Sequence, residues 1–193
     1  MSFIPPVSPA EVVQLYDEAE RAIKHLERRL SKTLTFPSVN QLRYAGKHLT
    51  RFISNGQAVE QLNDAAKHCR RAIYDCHEVE IIYLSEYFDK FMDDYRTMVV
   101  GEIVKDFSVI TGNFDKALAF IRDVNEDDRE RYYIECRTHV EVLHGAVGVL
   151  KASRHDLNAA LARNRRNFFF QAVAALSAIA AVAGVVFKYL LIS

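Results

Sequence analysis

The chain has 193 residues, with 25 basic and 25 acidic side chains and so no net charge at pH 7. That balance removes any bulk electrostatic argument for nucleic-acid binding. Half of the residues are hydrophobic while only 7 are Gly and 4 are Pro, which disfavours turn-rich β architectures and points to long helices.

The N-terminal residues 1–8 read as a lead without the basic and apolar pattern of a cleaved targeting signal. Ser8-Pro9-Ala10-Glu11 then predicts a helix start: a Ser cap, Pro in the first turn and Glu three residues after the cap. This helix is expected to reach about Leu34, with Val12, Leu15, Ile23, Leu26 and Leu30 along one side. Thr35-Phe36-Pro37-Ser38 breaks it, since Pro lacks a donor and restricts the preceding residue. Ser38 is the expected cap of a second helix, which reaches Ile53 and stops at Ser54-Asn55-Gly56.

A third helix starts near Gln57. Leu62, Ala66, Cys69, Ile73, Cys76, Tyr83 and Tyr87 follow heptad steps with Glu80 as the odd member. It is expected to continue through Phe88, Phe91, Tyr95 and Met98 and to bend or break near Val99–Gly101. Two short helices follow, Glu102 to Ile110 and Phe114 to Val124, separated by a Thr111-Gly112-Asn113 turn. Asn125-Glu126-Asp127-Asp128 is a polar hinge or helix start.

From Asp128 to Ile192 one very long helix is expected. Tyr133, Cys136, Val140, Leu143, Val147, Leu150, Leu157 and Leu161 form a second seam, interrupted by Arg154. Arg163, Arg165 and Arg166 come next, and the 21 residues from Asn167 to Phe187 carry no charge. At helical rise they span roughly 31 Å, the thickness of a bilayer's hydrocarbon core. The three arginines place the preceding domain in the cytoplasm by the positive-inside rule, and Lys188 can snorkel at the far interface. The expected fold is therefore all-α: a multi-helix bundle over 9–163, with long heptad-patterned helices, and a C-terminal single-pass transmembrane anchor over 164–193 in the cell (inner) membrane. About 165 residues outside the anchor are enough to bury a core.

Charge is unevenly placed. Acids dominate His77–Asp94 and bases dominate Arg137–Arg166. Either the two segments face each other, or the basic one meets anionic lipid headgroups. Glu80 and Arg154, each alone in an apolar seam, are expected to pair with one another within or between subunits. In the anchor, Ala174, Ser177, Ala178, Ala180, Ala181 and Gly184 form small-residue rows of the kind that let helices approach closely in lipid, a self-association signal. Gln171 and Ser177 add polar atoms that favour a protein or water neighbour.

Cys69, Cys76 and Cys136, an odd set without a secretory leader, read as free thiols in a reducing compartment. His68-Cys69 with Cys76-His77 has ligand types that suit zinc, but adjacent residues point apart on a helix and the usual spacing is lacking; core packing is the reading, and no metal or cofactor is expected. The aromatic band Tyr83, Tyr87, Phe88, Phe91 and Tyr95 is interleaved with acids that repel phosphate, and so reads as a packing surface. No small-molecule substrate is inferred.

Arg137 and His144 are separated by six residues. That spacing resembles the R-x(4–6)-H motif of HEPN proteins, all-helical bundles of which many members cleave RNA without metal as dimers. The resemblance implies proton transfer by His144 and phosphate stabilisation by Arg137. Arg43/His48, Arg70/His77 and Arg71/His77 meet the same spacing, and Thr138 follows Arg137 where the family usually has Asn, Asp or His. The alternative is that Glu141 ties Arg137 and His144 into a surface network. Taken with the helical body and single membrane helix, the chain resembles the membrane-anchored HEPN-like accessory protein of type VI-B CRISPR systems. This implies a homo-oligomer in membrane lipid, a pore that adds to prokaryotic antiphage defence, and an RNA or CRISPR effector as partner. Two other readings stand beside it: a membrane-tethered HEPN-type ribonuclease using Arg137 and His144, and a tail-anchored helical adaptor.

Overall fold

In the computed structural model the described residues, 7–30, 37–54, 58–123 and 129–192, form five α-helices and one short 3-10 helix, with no strand among them. The helices are α1 (Pro9–Leu30), α2 (Pro37–Ser54), α3 (Val59–Asp94), α4 (Phe107–Arg122) and α5 (Arg129–Ile192), with the 3-10 turn at Val100–Glu102 between α3 and α4. The all-α expectation holds. The breaks expected at Thr35-Phe36 and Asn55-Gly56, the hinge at Asn125–Asp128 and the Lys188 side chain lie outside the described residues.

The start of α1 is the reciprocal cap read from the sequence. Ser8 N–H donates to Glu11 Oε2 at 2.7 Å, and Glu11 N–H donates to Ser8 Oγ at 3.3 Å, satisfying two amides that the first turn would leave open. These bonds hold the Glu11 carboxyl below its ordinary range. α2 begins at Pro37, whose fixed φ and missing donor suit a first helical position. Ser38 is therefore not the cap expected of it: it lies within the helix and is buried.

The chain divides into two compact units, 1–89 with 108–147 and 90–107 with 148–193. In the first, Ala19, Ile23 and Leu26 of α1 pack with Leu42 and Ala45 of α2 and Cys69, Ala72 and Cys76 of α3. Val12 joins Leu62, Ala65 and Ala66 nearby. All three cysteines are free and buried, and burial pushes Cys69 and Cys76 up to about 11 and Cys136 up to about 12. They serve as small apolar core residues with little thiolate. On the other side, Phe88 stacks on Phe114 at 4.4 Å and Phe120 on Tyr132 at 4.4 Å. Tyr74 O–H donates to Tyr132 Oη at 2.8 Å, and Tyr132 O–H to the Phe120 carbonyl at 3.4 Å, so two buried hydroxyls join α3, α4 and α5.

The two short helices expected around Thr111-Gly112-Asn113 are one, α4, which runs through all three residues. Ile110, Phe114 and Ala117 recur at helical spacing and are buried. Burial of this stripe outweighs the roughly 1 kcal/mol that a mid-helix Gly costs. Its start is set by Asp106, whose positive φ of 56° is a conformation that Asp tolerates better than most side chains.

The α3 seam also departs from the heptad. Leu62, Ala66, Cys69 and Cys76 are buried as expected, but Tyr83 is exposed and the core continues through Ile81, Leu84, Phe88, Phe91 and Tyr95. A straight helix drifts about 20° per heptad, so a strict seven-residue pattern slides off the buried side within a few turns. α3 also ends at Asp94, before the Val99–Gly101 break expected.

In the second unit, Arg154 Nη2 meets Asp94 Oδ2 at 3.0 Å, and its guanidinium lies over Phe91 and Tyr95 at 5.5 and 5.9 Å. Tyr95 O–H donates to Asn158 Oδ1 at 2.9 Å. The aromatic band thus includes a cation–π platform.

Candidate functional site

Glu80 is a buried charge of α3, only 6% exposed. Helical spacing from Cys76 keeps it on the core side, where an unpaired carboxylate would be costly. Two partners satisfy it. Arg29, near the end of α1, donates from Nη1 to Glu80 Oε1. His144 of α5 donates from Nε2 to the same oxygen at 2.7 Å. Arg29 Nη1 also lies against both ring nitrogens of His144. Three helices therefore meet at one carboxylate oxygen.

The expected Glu80–Arg154 pairing, within or between subunits, is not among the contacts that each residue makes inside its own unit. Glu80 takes Arg29 and His144, and Arg154 takes Asp94 and an aromatic platform. Seam position identified both as special, but which helix supplies the partner is set by tertiary packing. The acidic and basic segments do meet, through Glu80 with His144 and through Asp94 with Arg154.

Arg137 and His144 stand in different networks. Arg137 Nε donates to Glu141 Oε1 at 3.1 Å, with both side chains largely exposed. Glu141 was expected to tie both residues; it takes Arg137 alone. Arg29 was missed by sequence reading. Its one signal is position, three residues after Leu26 and so on the flank of the buried α1 stripe, where a long stem can follow apolar surface to a buried acid.

One turn from Glu80, the first unit carries an open cleft of about 560 Å³. From α1 it is lined by Glu18, Arg21, Lys24, His25 and Arg28, at spacings of three and four. α3 contributes Ile73 and His77, and α5 contributes Arg137. Burial holds His77 below its ordinary pKa, and its buried Nδ1 has no hydrogen-bond partner.

Of the possible zinc ligands, Cys69 and Cys76 lie in the core. His68 Nδ1 faces Gln41 Oε1 at 2.7 Å, and its ring stacks on His48 at 5.3 Å.

Asp75 is the other buried acid among the described residues. Arg71 Nε donates to its Oδ1 at 2.7 Å, while Oδ2 is buried without a partner. Burial pushes the carboxyl from 3.8 up to about 6, against the pull of Arg71. Between those values the folded chain holds a proton that the unfolded chain has released. Native stability therefore falls as pH rises through the window, and the cost is complete above about 6. Asp75→Asn is expected to stabilise the protein at about pH 7.5 by on the order of 1–2 kcal/mol, allowing for the lost Arg71 pair. The gain should vanish by about pH 4; thermal melts across pH read it, and a gain that persists in acid would mean another origin.

In the distal part of α5 every residue from Ala162 to Gly184 is exposed. Phe168, Leu176 and Ile179 are 73%, 67% and 66% exposed. Within Tyr132–Gly184 lies a stretch long and apolar enough to cross a membrane, none of it buried. Ala174, Ser177, Ala178, Ala180, Ala181 and Gly184 are all on this uncovered surface, as are Arg163, Arg165 and Arg166 at its start. Ser177 Oγ donates to the Val173 carbonyl at 2.9 Å, so this hydroxyl is satisfied within its own helix and does not require the neighbour expected for it.

No family model matches the chain, and no curated protein or solved structure matches it. What the fold defines is a class: an all-helical protein with, among the described residues, one helix long and apolar enough to cross a membrane.

Proposed function

We propose that the chain is held in a membrane by distal α5 and works there as an assembly of several copies whose spans enclose a path across the bilayer. The observation that supports this reading is the uncovered apolar surface from Phe168 to Gly184. In water it would be a large exposed patch of the kind that marks an interaction surface; in lipid it is solvated. Arg163, Arg165 and Arg166 then stand at headgroup level, where anionic lipid favours each by about 1 kcal/mol. Ser177, Ala181 and Gly184 lie on one side of the helix with Ala174 and Ala178 beside them, which suits close helix–helix approach. The wider setting, antiphage defence beside an RNA-guided effector, rests on the resemblance to type VI-B accessory proteins.

The test is dye release from liposomes containing anionic lipid, with particle size measured in detergent. Release that rises steeply with protein-to-lipid ratio, together with a multimeric particle, is the expected result. A strict monomer that leaves vesicles tight would overturn the pore.

One observation favours a second reading, a membrane-tethered ribonuclease. His144 is oriented by the Glu80 carboxylate beside the Arg29 guanidinium, the group types that metal-free phosphodiester chemistry uses. RNA cleavage abolished by His144→Ala would support it, and cleavage unchanged by that substitution would remove it.

A further inference from the structure

We infer that the cleft between α1, α3 and α5 is a binding site for a small polyphosphorylated ligand, of the size and charge of a nucleoside polyphosphate.

The cleft concentrates positive charge in a chain that has none overall. Arg21, Lys24, Arg28 and Arg137 face Glu18 as the only carboxylate of its lining. Four permanent cations stand against Glu18 in the lining and against Glu20 and Glu141, which pair with Lys24 and Arg137, a local excess of one. Such a concave site focuses its potential on an incoming anion. Three of the cations are guanidinium groups, whose planar forks match phosphate oxygens with paired hydrogen bonds.

Their present partners are easily exchanged. Arg137 is held by Glu141 and Lys24 by Glu20 at 3.0 Å, both as exposed pairs four residues apart on one helix. Bonds of that kind are weak and screened by salt. A phosphate bridging α1 to α5 would replace them with several convergent, charge-assisted bonds.

His77 supplies the independent sign of a ligand. His77 lines the cleft while its Nδ1 is buried without a hydrogen-bond partner, and a buried polar atom without a partner calls for one. The charged groups acting on it are Glu18 from α1, Glu80 from α3, and Arg137 and Glu141 from α5. With the imidazole turned toward the cleft, an Nδ1–H would donate to a bound phosphate oxygen.

Volume and lining select the class. About 560 Å³ lies within the range of small-molecule sites, roughly 300–1,000 Å³. The cations are spread over two helices, α1 and α5, so a single phosphate would engage only some of them. Ala22 and Ile73 add a limited apolar wall. The site adjoins the Arg29–Glu80–His144 contact through Arg28 and His77, so occupancy would bear on the same three helices. The proposal does not depend on the membrane or nuclease readings.

The experiment is isothermal titration of the full chain in detergent with inorganic tripolyphosphate and with ATP, at low and at physiological salt. Saturable binding of one ligand per chain is expected, weakened about tenfold by Arg28→Ala or Arg137→Ala and about a hundredfold by the pair. Arg28→Lys should retain part of the affinity. These cations are exposed, so circular dichroism should show the fold unchanged. His77→Gln should also weaken binding, and in the parent protein the His77 imidazole resonance should shift on saturation. No saturable binding at low salt, or equal affinity in the double variant, would overturn the proposal. Tighter binding of single-stranded RNA that tripolyphosphate fails to displace would replace the small ligand with a polymer and overturn it equally.

Discussion

Glu80→Ala is expected to destabilise the protein by about 2–3 kcal/mol. The carboxylate is buried and is the shared acceptor for Arg29 and His144. Removing it strands two donors at once and opens a gap between α1, α3 and α5. The loss stays below the upper end for a broken buried pair because the Arg29 and His144 side chains are each 34% exposed and can turn to water. Glu80→Gln keeps the shape and one acceptor oxygen but not the charge, so about half of the loss should be recovered. A double-mutant cycle with His144→Ala separates the pair from the packing: the two single losses should exceed the double loss by about 1 kcal/mol or more. Chemical or thermal unfolding of the detergent-solubilised chain gives these values. A Glu80→Ala loss below about 0.5 kcal/mol would place Glu80 among ordinary surface ion pairs.

That site also shows how far the sequence could be read. Hydrophobic spacing placed the long helices, because a buried stripe repeats at helical period whatever it packs against. The Ser8–Glu11 cap was legible for a local reason: both partners lie within one turn. The same logic flagged Glu80 and Arg154, since a charge in an apolar seam breaks a local pattern. Their partners were not legible. Arg29 is 51 residues from Glu80, and His144 is 64; nothing local to Arg28-Arg29 distinguishes the residue that turns inward. The cleft was hidden for a related reason. Arg21, Lys24 and Arg28 look like the solvated face of an amphipathic helix, and only the arrival of His77 from α3 and Arg137 from α5 makes that face concave. α4 failed the other way. Thr111-Gly112-Asn113 carries strong turn chemistry, and the burial that overrides it depends on partners such as Phe88, far away in sequence.

Charge placed in distal α5 should have the other large effect. Leu176→Arg with Ile179→Arg puts two guanidinium groups near the middle of the uncharged stretch. Each costs about 2.5–3.5 kcal/mol at the centre of a membrane helix, so the pair removes roughly 5–7 kcal/mol of insertion free energy. The protein is expected to move from the membrane pellet to the supernatant or into aggregates after cell fractionation. The control lies in the same helix. Val142 and Val149 are also exposed, 42% and 44%, but precede the stretch by many residues, so Val142→Arg with Val149→Arg adds the same charge without crossing lipid. This variant should remain in the pellet. The comparison separates two meanings of an exposed apolar helix. If the span enters a bilayer, position along α5 decides the outcome, because only residues near its middle are denied water. If the exposed surface were instead a contact for another soluble protein, both pairs would act through lost association, and neither would change extraction by detergent as against high salt. Retention of the Leu176→Arg, Ile179→Arg protein in a salt-resistant membrane fraction would remove the basis for reading distal α5 as a transmembrane helix.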